Sequence, residues 1–493
     1  MNWLVLVSIA AAGLALAAGT GADPGGHWRV KSRAPGSGEW RPEGPVALEA
    51  DPSVRDSAAC VRLARALERR FPGRAGEGPR QAVRAGLAAS EPGLAEIVRA
   101  ASPALPGGRL PAQGFVLETG SEGAAVAGAD SAGIRHGMDL LAALLEEARQ
   151  PGLPAARIAD WPELPRRGCH VLVHGRPDLP ILERLITRHL PALRINELIL
   201  EINYRFQYNS HPEVVDGDPL TRADCRGLRS LADRHGIRLV PMINCLGHQS
   251  WAKETFGLLR AHPEMDETPD LPKDNPGIYC RSWCPSHPDV APLVNDLCDE
   301  LIDAFQADGF HVGMDEVFIL GECPRCRGKD PAALFAKSVN DLHAHLVGRR
   351  KVEMQMWGDR LLDASETGYS KWEASANGTA PAAGMIPKDI VVCDWHYGVQ
   401  EDYPSIKLLQ SQGFRVWPAG WDTPENARNL ILCGLRSRTP LMIGYLATTW
   451  HPLTRIEAAL EGRTGGSKED QKVAGIAAAL REGARLAWEG PAQ

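Results

Sequence analysis

Residues 309–316 read Gly-Phe-His-Val-Gly-Met-Asp-Glu, a short apolar run that stops at two adjacent acids. Such a run, bounded by turn residues, reads as a buried strand of a parallel sheet. Consecutive strand residues point to opposite faces. Asp315 and Glu316 can therefore serve one site only where the strand ends and the chain turns, which Gly313 permits. Chemistry at the C-terminal end of a parallel strand is the arrangement of an α/β barrel.

Outward from this stretch, short apolar runs recur at 169–173, 197–202, 238–243, 309–312, 353–356, 390–393, 415–417 and 441–445. Amphipathic helical stretches separate them at 179–193, 222–235, 289–305 and 332–348. Strand and helix alternating in this way build βα units, and eight strands close a barrel. The expected fold class is thus α/β, a (β/α)₈ TIM barrel over 161–493, behind a small α+β domain over 46–160. In the small domain, 60–70 and 133–148 read as helices and 114–118 and 124–127 as strands.

Residues 19–45 are rich in Gly, Pro and Ser, with isolated Trp28 and Trp40 and no hydrophobic period, and read as a linker. Residues 1–18 are apolar and end in small residues, the pattern of a signal peptide, although Lys and Arg are missing ahead of the apolar run. The chain is therefore expected to be exported, periplasmic or extracellular, with an uncleaved N-terminal membrane anchor as the alternative. No later segment reaches the roughly 18 apolar residues of a second span.

The formal net charge of −7 is small for 493 residues, and no long Lys/Arg run is available to neutralise a phosphate backbone. Nucleic acid is not an expected partner, and the oligomeric state is not legible. His343 and His345 share a helix but stand two apart, facing different sides, and no His-Glu-x-x-His occurs. No cofactor is expected and no metal site is assigned. Of eleven cysteines, Cys280 with Cys284 and Cys323 with Cys326 have spacings that could each staple a loop in an oxidising compartment, stay as idle thiols, or together hold zinc.

Cleaving a glycosidic bond requires a carboxylic acid to protonate the leaving oxygen and a second group to stabilise an oxocarbenium-like centre. Asp315 and Glu316 can divide that work. Aromatics follow four later strands: Trp357 after the fifth, Trp395 with His396 and Tyr397 after the sixth, Trp417 and Trp421 after the seventh, and Trp450 after the eighth. Indole faces at successive strand ends suit the C–H faces of sugar rings.

With these residues in place, the chain from roughly 110 to 455 resembles glycoside hydrolase family 20, the β-N-acetylhexosaminidases. His311 to Glu316 looks like the family's His-x-Gly-Gly-Asp-Glu signature, with Met314 for the second Gly. Residues 283–288 (WCPSHP) resemble its Cys-Pro segment, 236–250 (GIRLVPMINCLGHQS) its third strand, Arg167-Gly168 the opening of its first strand, and 113–145 its small α+β domain.

The resemblance implies removal of terminal β-linked N-acetylhexosamine from a glycan, with Glu316 as general acid/base and Asp315 orienting the 2-acetamido group. The substrate's own carbonyl oxygen would then be the nucleophile, with retention. It further implies that Arg167 holds the sugar hydroxyls, that His248 supports the acid pair, and that Trp357, Trp395 and Trp450 wall the pocket; His311, Tyr397 and Trp421 are further candidates for substrate binding.

Several positions depart from the family pattern. Asn244 replaces an acid and Leu246 a Pro; Asn203-Tyr204-Arg205 stands where an Asp follows the second strand; Pro452 stands for a Glu; and Trp417 and Trp421 occupy the region of the acetamide-binding Tyr, Tyr397 lying one strand too early. The chain reads as a divergent branch. Two other readings stay open: a glycosidase of the same fold for a sugar without an acetamide, and a catalytically silent glycan-binding protein.

Overall fold

The computed structural model describes residues 29–73 and 81–491. The segment read as a signal peptide, and 19–28 of the linker reading, lie outside the described residues. No helix among the described residues is long and apolar enough to cross a membrane.

Eight parallel strands close into a barrel in sequence order: Arg166–Leu172, Glu197–Glu201, Arg238–Cys245, Gly309–Gly313, Glu353–Trp357, Val391–Trp395, Arg415–Gly420 and Gly444–Thr448. The period-2 alternation of strand side chains divides their residues into two cores. Cys169, Val171, Leu198, Leu200, Leu239, Ile243, Phe310 and Val312 face outward into the layer of helices. Ile199, Val240, Met242, Trp357, Val391, Trp417 and Leu446 pack together in the interior.

Two barrel strands start three residues from where they were expected, and the third, sixth and seventh run two or three residues further than expected. The first begins at Arg166, ahead of the apolar run, because the charges of Arg166 and Arg167 concealed its start. The eighth is Gly444–Thr448, three residues beyond its predicted start, because the apolar Leu441-Met442-Ile443 precedes the paired segment.

Ahead of the barrel lies a six-stranded mixed sheet in the order Ser32–Trp40, Leu153–Asp160, Phe115–Gly120, Gly123–Gly128, Gln81–Leu87, Val46–Ala50. Ala58–Arg70 and Ser131–Glu147 pack on one of its faces, joined by Trp40, Phe115 and Ile134 in one core. The linker reading is corrected here, since Ser32–Trp40 is an edge strand paired antiparallel with Leu153–Asp160. Its pairing register breaks between Pro35 and Glu39, and most of its residues are exposed, so it carries no hydrophobic alternation; only Trp40 is deeply buried. Irregular Pro- and Gly-bearing edges of this kind also resist pairing with other chains.

A C-terminal helix, Lys468–Glu489, sends Trp488 back into the core of the small domain, where its indole N–H donates to Asp160 at 2.9 Å. The guanidinium groups of Arg194 and Arg167 lie over the same indole at 4.0 and 5.1 Å. These contacts join the small domain to the floor of the barrel.

Candidate active site

At the end of the fourth strand the backbone leaves the extended region, with Gly313 at φ +66°, Met314 at +75° and Glu316 at +50°. A Cβ at Gly313 would meet the Asn244 side chain at 2.3 Å, so only glycine fits there. This bend brings both acids to the mouth, Asp315 buried and Glu316 half-buried.

His248, on the loop after the third strand, meets both. Its Nε2 donates to Glu316 Oε2 at 3.1 Å, and its Nδ1 stands 3.5 Å from Asp315 Oδ1. Burial works against an imidazolium here, but the Asp315 carboxylate, with further help from Glu316, outweighs it and raises the His248 pKa well above 6.5. Reciprocally, burial would raise the Asp315 pKa, and the His248 charge overrides that and lowers it. His248 is thus held as a cation against an ionised Asp315.

His311 takes the opposite state. Its Nδ1 accepts the Gly313 N–H at 3.1 Å, while burial and the neighbouring His170 lower its pKa to about 3. The neutral ring therefore carries its proton on Nε2, a donor with no hydrogen-bond partner among the described residues. His170 Nδ1, Asn244 Oδ1 and Trp357 Nε1, also at the mouth, are likewise unbonded. Clustered at one end of the barrel, such groups are what a polyhydroxylated ligand would satisfy.

Of the aromatic residues expected at the strand ends, Trp357, Trp395, Tyr397, Trp421 and Trp450 form one continuous wall. Trp357 lies 4.6 Å from the His311 ring and 5.7 Å from Trp450, and Trp450 lies 4.3 Å from His170. Tyr397 packs between Trp395 at 4.9 Å and Trp421 at 5.3 Å. The Tyr397 hydroxyl accepts from Trp450 Nε1 at 2.6 Å and lies 3.4 Å from the Thr448 hydroxyl, whose own proton goes to the Gly420 carbonyl at 2.9 Å. Although Tyr397 comes from the sixth strand end, its phenol therefore stands within this wall.

Two expectations fail. Arg167 is not in the site: it points out of the barrel, donating to the carbonyls of Arg194 (2.7 Å), Leu164 and Pro165 (3.1 Å each) and to Gln113 Oε1 (3.0 Å). Alternation sends Arg166, Gly168 and His170 inward and Arg167 outward, so the Arg167 side chain lies on the wrong face of the strand to reach a sugar in the barrel. Trp417 does not reach the mouth either. It fills the lower barrel beneath the Arg166 guanidinium at 5.0 Å, where a Cβ on Gly168 would strike its ring at 2.3 Å.

Several residues at the mouth escaped the sequence reading. Glu201, at the end of the second strand, bonds His170 Nε2 at 2.9 Å, Asn244 Nδ2 at 2.7 Å and Asn203 Nδ2 at 3.0 Å. A carboxylate is therefore present near where the family Asp was missed, and the inward parity of Glu197, Ile199 and Glu201 was the available signal. Asp359, two residues past Trp357, accepts from the Glu316 N–H (2.9 Å), Arg360 Nε (2.7 Å) and Trp395 Nε1 (3.2 Å). Burial, opposed by Arg360 and reinforced by Asp315 and Glu316, lifts its pKa to about 6. Beside the acid pair, Tyr279 packs edge-on to His248, Trp251, Phe318 and Trp372, and Trp251 and Trp372 are 54% and 38% exposed at the rim.

All eleven cysteines are free thiols. Cys280 does not pair with Cys284; its Sγ faces the Glu316 carbonyl at 3.8 Å.

Fold and site together define an α/β-barrel protein with a paired-acid, aromatic-walled mouth. The description "Glycosyl hydrolase family 20, catalytic domain" matches residues 197–420, and that family's domain 2 matches 30–161. The chain belongs to glycosyl hydrolase family 20. It is 24% identical over 275 residues to a lacto-N-biosidase of Bifidobacterium bifidum, covering 52% of this chain and 23% of that protein. It is 23% identical over 313 residues to a beta-hexosaminidase of Porphyromonas gingivalis, covering 56% of this chain and 38% of that protein. The chain thus spans well under half the length of either relative. In fold, it superposes on a beta-N-acetylhexosaminidase of Bacteroides fragilis with a TM-score of 0.67 at 16% identity, over 94% of this chain and 91% of that one.

Proposed function

We propose that the protein is an exported glycosidase that removes terminal β-linked N-acetylhexosamine from glycans with retention of configuration. The observation that carries the reading is the placement of Asp315 and Glu316 on either side of one cationic imidazole, His248, at the mouth of the barrel.

In the first step Glu316 gives its proton to the glycosidic oxygen as the bond to the anomeric carbon breaks. The acetamide carbonyl oxygen of the same sugar attacks that carbon, forming an oxazolinium ion. Asp315, kept ionised by His248, accepts a hydrogen bond from the acetamide N–H and balances the positive charge that grows there. Water then opens the ring, giving a proton back to Glu316 and restoring the starting anomer. Tyr397, whose hydroxyl stands in the aromatic wall beside Trp450, is placed to bond the acetamide oxygen, and Trp357, Trp395 and Trp450 enclose the sugar. The names of the relatives, a lacto-N-biosidase and a beta-hexosaminidase, support the sugar class.

The test is hydrolysis of aryl β-N-acetylglucosaminide and β-N-acetylgalactosaminide by the purified chain, beside Glu316→Gln and Asp315→Asn and with a thiazoline that mimics the oxazolinium. The proposal expects cleavage of at least one substrate, collapse in both variants and inhibition by the thiazoline. Cleavage only of glycosides without an acetamide, still dependent on Glu316, would shift the assignment to another sugar. Binding without any cleavage would make the chain a glycan-binding protein.

A further inference from the structure

The loop that leaves the acid pair is tied down by a cluster that the proposed chemistry does not use. In Cys323-Pro-Arg-Cys326 the N–H groups of Cys326 and Arg327 both donate to the Cys323 carbonyl, at 3.0 and 2.9 Å, a tight turn that brings the two thiols together. Cys284, from the segment after the third strand, completes a triad, its Sγ 3.3 Å from that of Cys323 and 3.4 Å from that of Cys326. All three thiols are buried.

Glu267, 1% exposed, stands over this triad. Its Oε2 accepts the N–H groups of Glu322 and Cys323 at 2.8 and 3.0 Å, which fixes the carboxylate in place. Its Oε1 has no hydrogen-bond partner among the described residues. One ligand atom from each of the four residues lies within 4.8 Å of the others.

A disulfide would use two of the three sulfurs and leave an odd thiol against a buried, unbonded carboxylate oxygen. A cation satisfies all four groups at once. We propose that Cys284, Cys323, Cys326 and Glu267 form a four-coordinate structural zinc site. Zinc–sulfur bonds near 2.3 Å on a tetrahedron set sulfurs about 3.8 Å apart, so the triad needs to open by only about half an ångström. The thiolates favour zinc over magnesium or calcium. Binding releases three thiol protons to solvent and changes no oxidation state. The resulting negative site is flanked by the exposed cations Arg325, Arg327 and Lys329 of the same loop.

The ion would fasten three segments beside the mouth. The one ending in Cys284 also carries Tyr279, whose ring lies 5.9 Å from His248, and Cys280, which faces the Glu316 carbonyl. The proposed ligands thus lie on the segments that line the acid pair.

The test is elemental analysis of the full chain purified without chelator, followed by exchange into cobalt. We expect about one zinc per chain, a thiolate-to-cobalt charge-transfer band in the near ultraviolet, and loss of both in Cys323→Ser but not in Cys298→Ala. Glu267→Gln should weaken zinc about tenfold or more while leaving the triad intact. Wild-type protein that carries no metal and gives no cobalt band would overturn the site, whether the three cysteines then prove free or disulfide-bonded. A different metal at one per chain would overturn its assignment to zinc. Both decisive readings use the wild-type chain, so they stand even if a variant fails to fold.

Discussion

At the floor of the barrel, Arg166, Arg238 and Arg415 interleave with Glu197 and Glu353. At the mouth, Asp315, Glu316, Asp359 and Glu201 gather around His248 and His170. The floor is a bonded lattice. Arg166 grips Glu197 through Nε at 2.9 Å and Nη2 at 2.7 Å and reaches Glu353 at 2.7 Å, while Arg238 and Arg415 meet Glu353 at 2.8 and 2.6 Å. Burial would raise the Glu353 pKa, but Arg166 and Arg238 drive it well below the usual carboxylate range. The mouth has acids in excess, imidazoles in two protonation states, unbonded donors, and left-handed backbone at Asn203, Leu246, His248, Met314, Glu316 and Trp450. The charged groups of the floor thus spend their bonds on each other, although Gln355 Oε1 and Trp417 Nε1 beside them are unbonded, whereas the mouth gathers excess acid and several unbonded polar groups. Left-handed backbone and several unbonded groups gather at the mouth, the end proposed to carry the chemistry.

Glu316→Gln should separate mouth from floor most strongly. It should cut kcat/KM about 10³-fold or more, roughly 4 kcal/mol of transition-state stabilisation, with the unfolding midpoint nearly unchanged. At the floor, Glu353→Gln should show the converse, a loss of about 2–4 kcal/mol in denaturant unfolding with KM retained. The figure falls below that of a fully buried pair because Arg238 and Arg415 reach solvent. A floor variant that abolished turnover in folded protein would collapse the distinction.

His248→Gln sits between the two, with an expected drop in kcat of about 10–100-fold. Because the folded state raises the His248 pKa, the ion pair contributes its full stability below the unfolded value near 6.5 and loses it as pH rises through the higher folded one. The stability advantage of the wild type over His248→Gln should accordingly shrink on the alkaline side, as read by thermal melts across pH. The smallest effect is expected at the rim, where Trp372→Ala should raise KM for a disaccharide a few-fold, about 1 kcal/mol, and leave the aryl glycoside unaffected.

Much of this arrangement was legible in the sequence. The eight-strand alternation and the acid pair at the end of an apolar strand were both readable, because burial on both faces writes a continuous hydrophobic run and a barrel confines its chemistry to strand ends. The edge strand Ser32–Trp40 was not readable, because an exposed, irregular strand has no period to detect. Arg167 was misplaced because a two-residue likeness fixes position but not the face a side chain takes; only the pairing of Arg166 with Glu197 and Glu353 sets that parity. Asp359 lacked a sequence signal of its own, because it follows a strand that already ended in Trp, and Glu201 had only the inward parity it shares with Glu197 and Ile199, in a run that looked purely structural. Cys284, Cys323, Cys326 and Glu267 come from three segments, and no spacing rule joins a Glu to cysteines up to 59 residues away.

The account rests most heavily on Asp315 orienting the substrate's own acetamide as nucleophile. Comparing turnover of an aryl 2-acetamido glycoside with its 2-trifluoroacetamido counterpart tests this directly, because fluorine withdraws electron density from the attacking carbonyl oxygen. The account predicts a steep fall in kcat/KM in the fluorinated substrate. Equal rates would contradict it and require a nucleophile supplied by the protein.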